Sequence, residues 1–440
     1  MMPQRAWLPG LVFALLLLGF AVKGLLLTPP SPPVTAAAGE FDTDRALARL
    51  ARILGDQRPH PVDSDANDAV RDRLIAELRA IGLSPRIQEA TDCSVMPKSR
   101  VVSCSRVRNV IATVGGGAGR HVLLNAHYDG TPAGPGAADD GVGVAALIEI
   151  AAVLRASPPA RPVSFLFNEG EEFGLNGASA FVREDRLSDD VDSLVNIEAR
   201  GVKGPALMFE TSNPNGPAVS AFAEASRRPY ANSLSMDFAK LIPNTTDVVE
   251  FRPAGWAILN YAIIGNETRY HTPGDTIAAL DQSSLYHVGS ETLAATRAMA
   301  SRKQPETAKT YVFTDIAGRF LLRVPLPIAG VAFFLLLMLS LVQAIRRKAT
   351  GSAFLHAPGM VVAGVMAAAS IAIVAGLVRP GDYWRAYPLI AYLAVYATML
   401  LAMLAVWRRW GSVSDPWRAR AAVWLFILTV GGATGIFLPG

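Results

Sequence analysis

Three carboxylates, Glu169, Glu171 and Glu172, follow directly on the apolar run 163–167. Such a run makes a buried strand, and acidic groups at its end are costly to desolvate unless something compensates them. A metal ion is such a compensation. The same arrangement recurs along the chain. An apolar run at 121–126 ends in His127-Tyr128-Asp129, and Ala138-Asp139-Asp140-Gly141 comes next. Further on are Val195-Asn196-Ile197-Glu198 and Tyr270-His271-Thr272-Pro273-Gly274-Asp275. His127, Asp139, Glu172, Glu198 and His271 together offer one bridging carboxylate and two terminal ligands for each of two ions. Imidazole and carboxylate donors of this kind suit zinc, and two ions about 3.5–4 Å apart can share a water. A carboxylate outside the donor set must then take that water's proton, and Glu171 beside Glu172 is placed to do so. Asp129 shares the direction of His127 in an extended segment, so it is expected to accept the other ring N–H.

Each piece also has an ordinary reading. His-x-Asp occurs by chance, Asp-Asp-Gly is usually a turn, Glu-Glu at a strand end is usually a solvated loop, and His-Thr-x-x-Asp also reads as a helix cap. The ordered set, with each member after a strand, separates this chain from those readings. It has only six histidines.

These groups need elements to hold them. Apolar residues at helical spacing predict a helix over 70–81 with Gly82 as its C-cap, and 143–154 reads as an apolar helix. Gly115-Gly116-Gly117 marks a turn before the strand at 121 and lacks the context of a phosphate loop. Strands are expected near 163–167, 193–198, 206–210 and 256–264, with helices between. This alternation predicts an α/β fold with a mixed, mostly parallel central sheet flanked by helices. In such sheets the active site forms beyond the carboxyl ends of the strands, where the candidate residues fall.

The 440 residues allow one large domain plus further elements, and 51% are hydrophobic, concentrated at the two ends. Residues 8–27 fit a signal peptide or an anchor helix, and the anchor is the preferred reading. The expected organisation is an N-terminal anchor at 1–28, a Pro-rich linker at 29–40, a catalytic domain at 41–305 and a multi-pass region at 320–440. In that region apolar stretches at 324–345, 357–378, 387–407 and 421–438 each have the length of a span. Arg346-Arg347-Lys348 and the Arg408, Arg409, Arg418, Arg420 group mark cytoplasmic loops, which puts residues 28–320 outside the cytoplasm. Arg319 and Arg323 lie on the other side of that assignment. The net charge of +4 is small, and its arginines cluster beside apolar segments. The chain therefore has a lipid bilayer as a partner and lacks a nucleic-acid footprint. Cys93 and Cys104, the only two cysteines, fall in the exported part and suit a disulfide, with two free thiols as the alternative.

The set His127-Tyr128-Asp129, Gly136 to Gly141, Asn168 to Ala178, Asn196 to Ala199 and Tyr270 to Thr276 resembles the M28 family of di-zinc aminopeptidases and carboxypeptidases. Its membrane-bound branch, the vacuolar membrane proteases and endoplasmic reticulum metallopeptidases, is the most similar. The motifs cover residues 50–300, and the remainder is similar in architecture only. The resemblance implies that His127 and Glu198 hold one zinc and Glu172 and His271 the other. Asp139 bridges them, and Glu171 is the general base. Asp129, Asp140 and Asp275 support the ligands. It also implies a cis Asp139–Asp140 peptide, and a role for Tyr270 in stabilising the tetrahedral intermediate, as in the carboxypeptidase branch. Asp139-Asp140-Gly141-Val142-Gly143 departs from the family's commoner Asp-Asp-Asn-x-Ser/Thr-Gly, which affects turn packing and leaves the ligands intact. The expected activity is exopeptidase cleavage of peptides from the amino end. The rivals are a carboxypeptidase, a glutaminyl cyclase with one zinc and no His-x-Asp ligand, and a non-catalytic receptor or scaffold on the same fold.

Overall fold

The computed structural model describes residues 28–96, 101–241, 245–301, 309–349, 352–381, 384, 387–410 and 416–437. The anchor reading of 8–27 lies outside them. The chain divides into two compact units, Met1–Arg323 and Val324–Gly440.

The first unit opens with two helices started by side-chain caps. Asp42 Oδ1 accepts the Arg45 amide at 2.9 Å before α1 (Thr43–Leu54). Ser64 Oγ accepts the Asn67 amide at 3.1 Å before α2 (Asp65–Ala80). That cap sets the start of α2 five residues earlier than the apolar periodicity does, because its first turn is polar. β1 (Arg86–Met96) and β2 (Val101–Val114) form an antiparallel hairpin. Then follow β3 (His121–His127), α3 (Gly141–Ala156), β4 (Val163–Asn168), α4 (Asn176–Glu184), β5 (Val191–Ala199) and β6 (Lys203–Thr211). α5 (Gly216–Ala225), α6 (Ser233–Leu241), the single turn α7 (Val248–Phe251), β7 (Ala257–Gly265) and α8 (Gln282–Ser301) complete the main body. A separate two-stranded sheet, β8 (Tyr311–Ile316) and β9 (Phe320–Pro325), closes it.

The main sheet runs β1-β2-β4-β3-β5-β7-β6. β4, β3, β5 and β7 are mutually parallel, and β2 and β6 pair antiparallel on the two flanks. The sheet is mixed and flanked by helices, in the class expected. Strand alternation divides its apolar side chains between two cores. Val122, Leu124, Phe165 and Phe167 face Leu50, Leu74, Leu147 and Leu285 of α1, α2, α3 and α8. Leu123 and Leu166 face Phe181 of α4, Phe251 of α7 and Trp256. All four central strands therefore end on one edge, with helices fixing them from both sides.

Cys93 stands opposite Cys104 across the β1–β2 hairpin, and the two form a disulfide. The polar, alternating sequence of these strands gave no expectation of the hairpin.

The second unit contains α9 (Leu326–Arg346), α10 (Ser352–Val378), α11 (Pro388–Trp410) and α12 (Pro416–Phe437). Among the described residues three segments are long and apolar enough to cross a membrane: Leu326–Arg346, Pro358–Val378 and Pro388–Val406. At 1.5 Å per residue, 21 residues span about 31 Å, the thickness of a hydrocarbon core. The fourth expected span, 421–438, falls mostly within α12, where the described apolar stretch is Arg420–Ala433, and its last residue lies outside the described residues.

Candidate active site

The candidate residues assemble at the carboxyl edge of the four parallel strands. His127 ends β3, Glu171 and Glu172 follow β4, Glu198 is next to last in β5, and Tyr270-His271 lies in the loop after β7. Asp139 comes from the loop between β3 and α3. Its neighbour Asp140 caps α3, its Oδ1 accepting the Gly143 amide at 3.1 Å, and the Asp139–Asp140 peptide is cis. Gly141 is required by close approach. A Cβ there would lie 2.7 Å from the Gly136 carbonyl oxygen and 2.9 Å from Leu50 Cδ1.

Asp139 presents its two oxygens to two different donor groups. Oδ1 lies 3.5 Å from His127 Nε2, which is itself 3.8 Å from Glu198 Oε2. Oδ2 lies 3.0 Å from His271 Nε2, which is 3.1 Å from Glu172 Oε2. The donor atoms of His127, Asp139 and Glu198 all fall within 4.8 Å of one another, as do those of Asp139, Glu172 and His271. A third such group joins His127, Glu171 and Glu172. Among the described residues, His127 Nε2, His271 Nε2 and Glu172 Oε1 find no hydrogen-bond partner of suitable geometry. Buried polar atoms left unpaired and aimed at one another are the mark of a cation site, so the residues fit metal ions.

The loops around the donors are tied together by the remaining acids. Asp275 accepts the Ala138 and Asp139 amides at 2.8 and 3.1 Å, fixing the bridging loop. Asp129 departs from the expected role. Its backbone carbonyl, at 2.9 Å, accepts from His127 Nδ1, while its carboxylate is 3.6 Å away and receives the Glu171 amide at 3.3 Å.

The electrostatics show how much positive charge this cluster demands. Burial pushes the Glu171 carboxyl well above its ordinary range, and the charge of Glu198 adds to it. Burial, with Asp139, raises Glu172 to about 7 against the pull of His271. Burial would raise Asp139 too, but the close His127 and His271 overturn this and hold it at about 2. Burial works against a charged His271, yet Asp139 and Glu172 raise it to about 9. Protons thus stand in where cations would sit.

A polar ladder beneath the donors was not foreseen. Asn125, Asn196 and Asn260 occupy matching positions on β3, β5 and β7, and all are fully buried. Asn125 donates to Asn196 at 2.7 Å, and Asn196 to Asn260 at 2.9 Å. Asn260 donates to Glu210 at 2.9 Å, and Glu210 pairs with Arg252. Asn125 and Asn168 both donate to buried Asp247, at 3.0 and 2.8 Å. Asn196 also reaches Glu198 Oε1 at 3.4 Å. The available signal was an asparagine inside each apolar run, two residues before His127 and Glu198.

Beside the donors lies a cavity of about 400 Å³ lined by Asp139, Glu171 and Glu198 and by apolar Leu207, Phe209, Leu234 and Ile264. Tyr270 also lines it, stacked on His271 with ring centroids 3.7 Å apart. The Arg200 guanidinium sits 5.4 Å from the Tyr270 ring centroid.

This donor set fits a metal centre. Residues 109–296 match the model of peptidase family M28. Over 284 residues it is 32% identical to the Vacuolar membrane protease of Eremothecium gossypii, covering 60% of this chain and 28% of that one. Over 232 residues it is 31% identical to Endoplasmic reticulum metallopeptidase 1 of Homo sapiens, covering 50% and 26%. The alignments with the curated relatives it matches most strongly span 28% to 31% of their length. A solved glutaminyl cyclase from Bacteroides thetaiotaomicron, bound to N-acetylhistamine, is 18% identical, covering 59% of this chain and 98% of that one at a TM-score of 0.49. So loose a likeness does not choose between chemistries.

Proposed function

We propose that this chain is a membrane-anchored exopeptidase that uses two zinc ions to remove residues from the amino end of peptides on the non-cytoplasmic side. The observation that carries the two-ion reading is Asp139, whose oxygens face separate His–Glu pairs. His127 and Glu198 would hold one ion, Glu172 and His271 the other, with Asp139 between. A bound pair of this kind lowers the pKa of a shared water and polarises a carbonyl. Glu171 is the base. Its raised proton affinity suits taking a proton from water and returning it to the leaving amine. Tyr270 donates its hydroxyl to the oxygen that gains charge as the carbonyl becomes tetrahedral. The apolar lining of the cavity favours an uncharged, apolar side chain at the cleavage site.

A carboxypeptidase is the second reading. Arg200, close to Tyr270, offers a cation to a terminal carboxylate. A one-zinc cyclase leaves His127 and Glu198 facing Asp139 without use. The deciding experiment is a digest of peptides with free or blocked ends, read by mass spectrometry, with bound metal counted. Amidated peptides should be trimmed and acetylated ones spared, chelation should stop the reaction, and zinc should restore it. Trimming of acetylated peptides alone establishes the carboxypeptidase instead. A protein with a full metal complement that trims neither is not an exopeptidase.

A further inference from the structure

The β8–β9 sheet has two unlike faces. Phe313 is 3% exposed, and Tyr311 and Leu321 pack on the main core. Polar bonds secure this side. The Tyr311 amide donates to Asn215 Oδ1 at 2.8 Å, the Phe313 amide to Ser233 Oγ at 2.9 Å, and the Asp315 amide to the Ala231 carbonyl at 2.7 Å. Alternate residues turn outward. Val312 and Ile316 are each 40% exposed, Phe320 57% and Leu322 49%. Thr314 is exposed beside them. A domain held in water gains nothing by presenting such a face.

Chain continuity identifies what covers it. Pro325 ends β9 and is also the cap of α9, whose apolar stretch begins at Leu326. Phe320 therefore precedes a candidate span by six residues, which reach about 20 Å at full extension. The two arginines that run against the sequence-based topology also find a place. Arg323 is occupied within the peptidase unit: it donates to Ser220 Oγ at 2.6 Å and lies over the Tyr311 ring. Arg319 is exposed next to the turn at Ala317-Gly318. An apolar face mixed with a hydroxyl and edged by an arginine suits the boundary between headgroups and acyl chains.

We propose that the outer face of this hairpin lies in the headgroup layer of the bilayer that α9 enters. Val312, Ile316, Phe320 and Leu322 contact lipid there, and Arg319 lies among the phosphates. The inference rests on reading α9 as a membrane span.

The test uses the full chain in vesicles of phosphatidylcholine and phosphatidylglycerol. An environment-sensitive fluorophore is attached at Phe320→Cys and, separately, at Leu335→Cys within α9 and at Asp72→Cys, whose side chain is 74% exposed. The native cysteines are bonded to each other and do not compete for label. A lipid nitroxide near the carbonyl end of the acyl chain should quench the Phe320→Cys label at least about twofold and spare the Asp72→Cys label, as an interfacial residue requires. A Phe320→Cys label that behaves like the one at 72 overturns the proposal. So does a label shielded from both lipid nitroxide and aqueous iodide, which means that protein covers the face. A Leu335→Cys label left unquenched by a second lipid nitroxide placed near the methyl end of the acyl chain, which lies at the depth of mid-helix, removes the span and the proposal with it. Leu322→Cys replaces Phe320→Cys if the latter does not fold. Peptide trimming by the same preparations reports on the proposed activity independently.

Discussion

In the proposed reaction Asp139 holds charge and Glu171 moves a proton, and substitutions that keep shape separate the two. Glu171→Gln should retain bound metal and lose at least about 10²–10⁴-fold in kcat, the usual contribution of a general base. Glu172→Gln should lose metal at the His271 side. Metal analysis beside kinetics checks both, and the reverse pattern would exchange the two roles. The donors were legible in the sequence because each polar group interrupts an apolar run at its end, where burial makes it conspicuous. Asn125, Asn196 and Asn260 were not legible as a set, since their alignment exists only once β3, β5 and β7 are paired in register. Asn196→Leu should leave Asn125 and Glu198 short of a partner and cost about 1–3 kcal/mol for the buried group stranded. Denaturant unfolding of the metal-loaded protein measures this. A neutral result there would mean that the ladder is inessential to the sheet.

At the scale of elements, the parallel strands announced themselves by apolar runs and the others did not. β1 and β2 mix charged and apolar residues because one flank of the sheet is exposed, and β8 and β9 are too short to stand out beside α9, into which β9 runs directly. Helix α8 holds a feature that only packing reveals. His287 is fully buried on it. Its Nδ1 accepts the Ala206 amide at 3.0 Å, and its Nε2–H donates to the Arg228 carbonyl, also at 3.0 Å. Burial lowers its pKa from 6.5 to about 4, with the Arg228 charge acting the same way. A group whose folded pKa is depressed contributes stability above its unfolded pKa and loses it as the pH falls between the two values. Acidification from pH 7 to 5 should therefore cost about 2 kcal/mol through this residue. In His287→Gln, which keeps a donor for Arg228, that part of the pH dependence should vanish. Unfolding curves of both proteins at the two pH values check it, and equal slopes would assign the acid sensitivity to other groups.

At the scale of the whole molecule, the chain joins a domain that matches peptidase family M28 over residues 109–296 to a region rich in apolar helices, and the question is on which side of a membrane that domain lies. The structure of each unit does not answer it, and the proposal that the domain lies outside the cytoplasm rests on charge. Arg346 is the last residue of α9 and of its 21-residue candidate span, Arg347 and Lys348 follow it directly, and basic residues are retained on the cytoplasmic side. Arg323 is not a comparable signal on the opposite side, since Ser220 and Tyr311 engage it within the peptidase unit. The Cys93–Cys104 disulfide agrees, because such bonds persist in oxidising compartments. Reporter fusions after Lys309 and after Lys348 test the assignment. A reporter that works only when exported should be active at the first and silent at the second. Activity at the second alone would place the metal site in the cytoplasm, where peptides are drawn from a different pool and where the disulfide would be reduced.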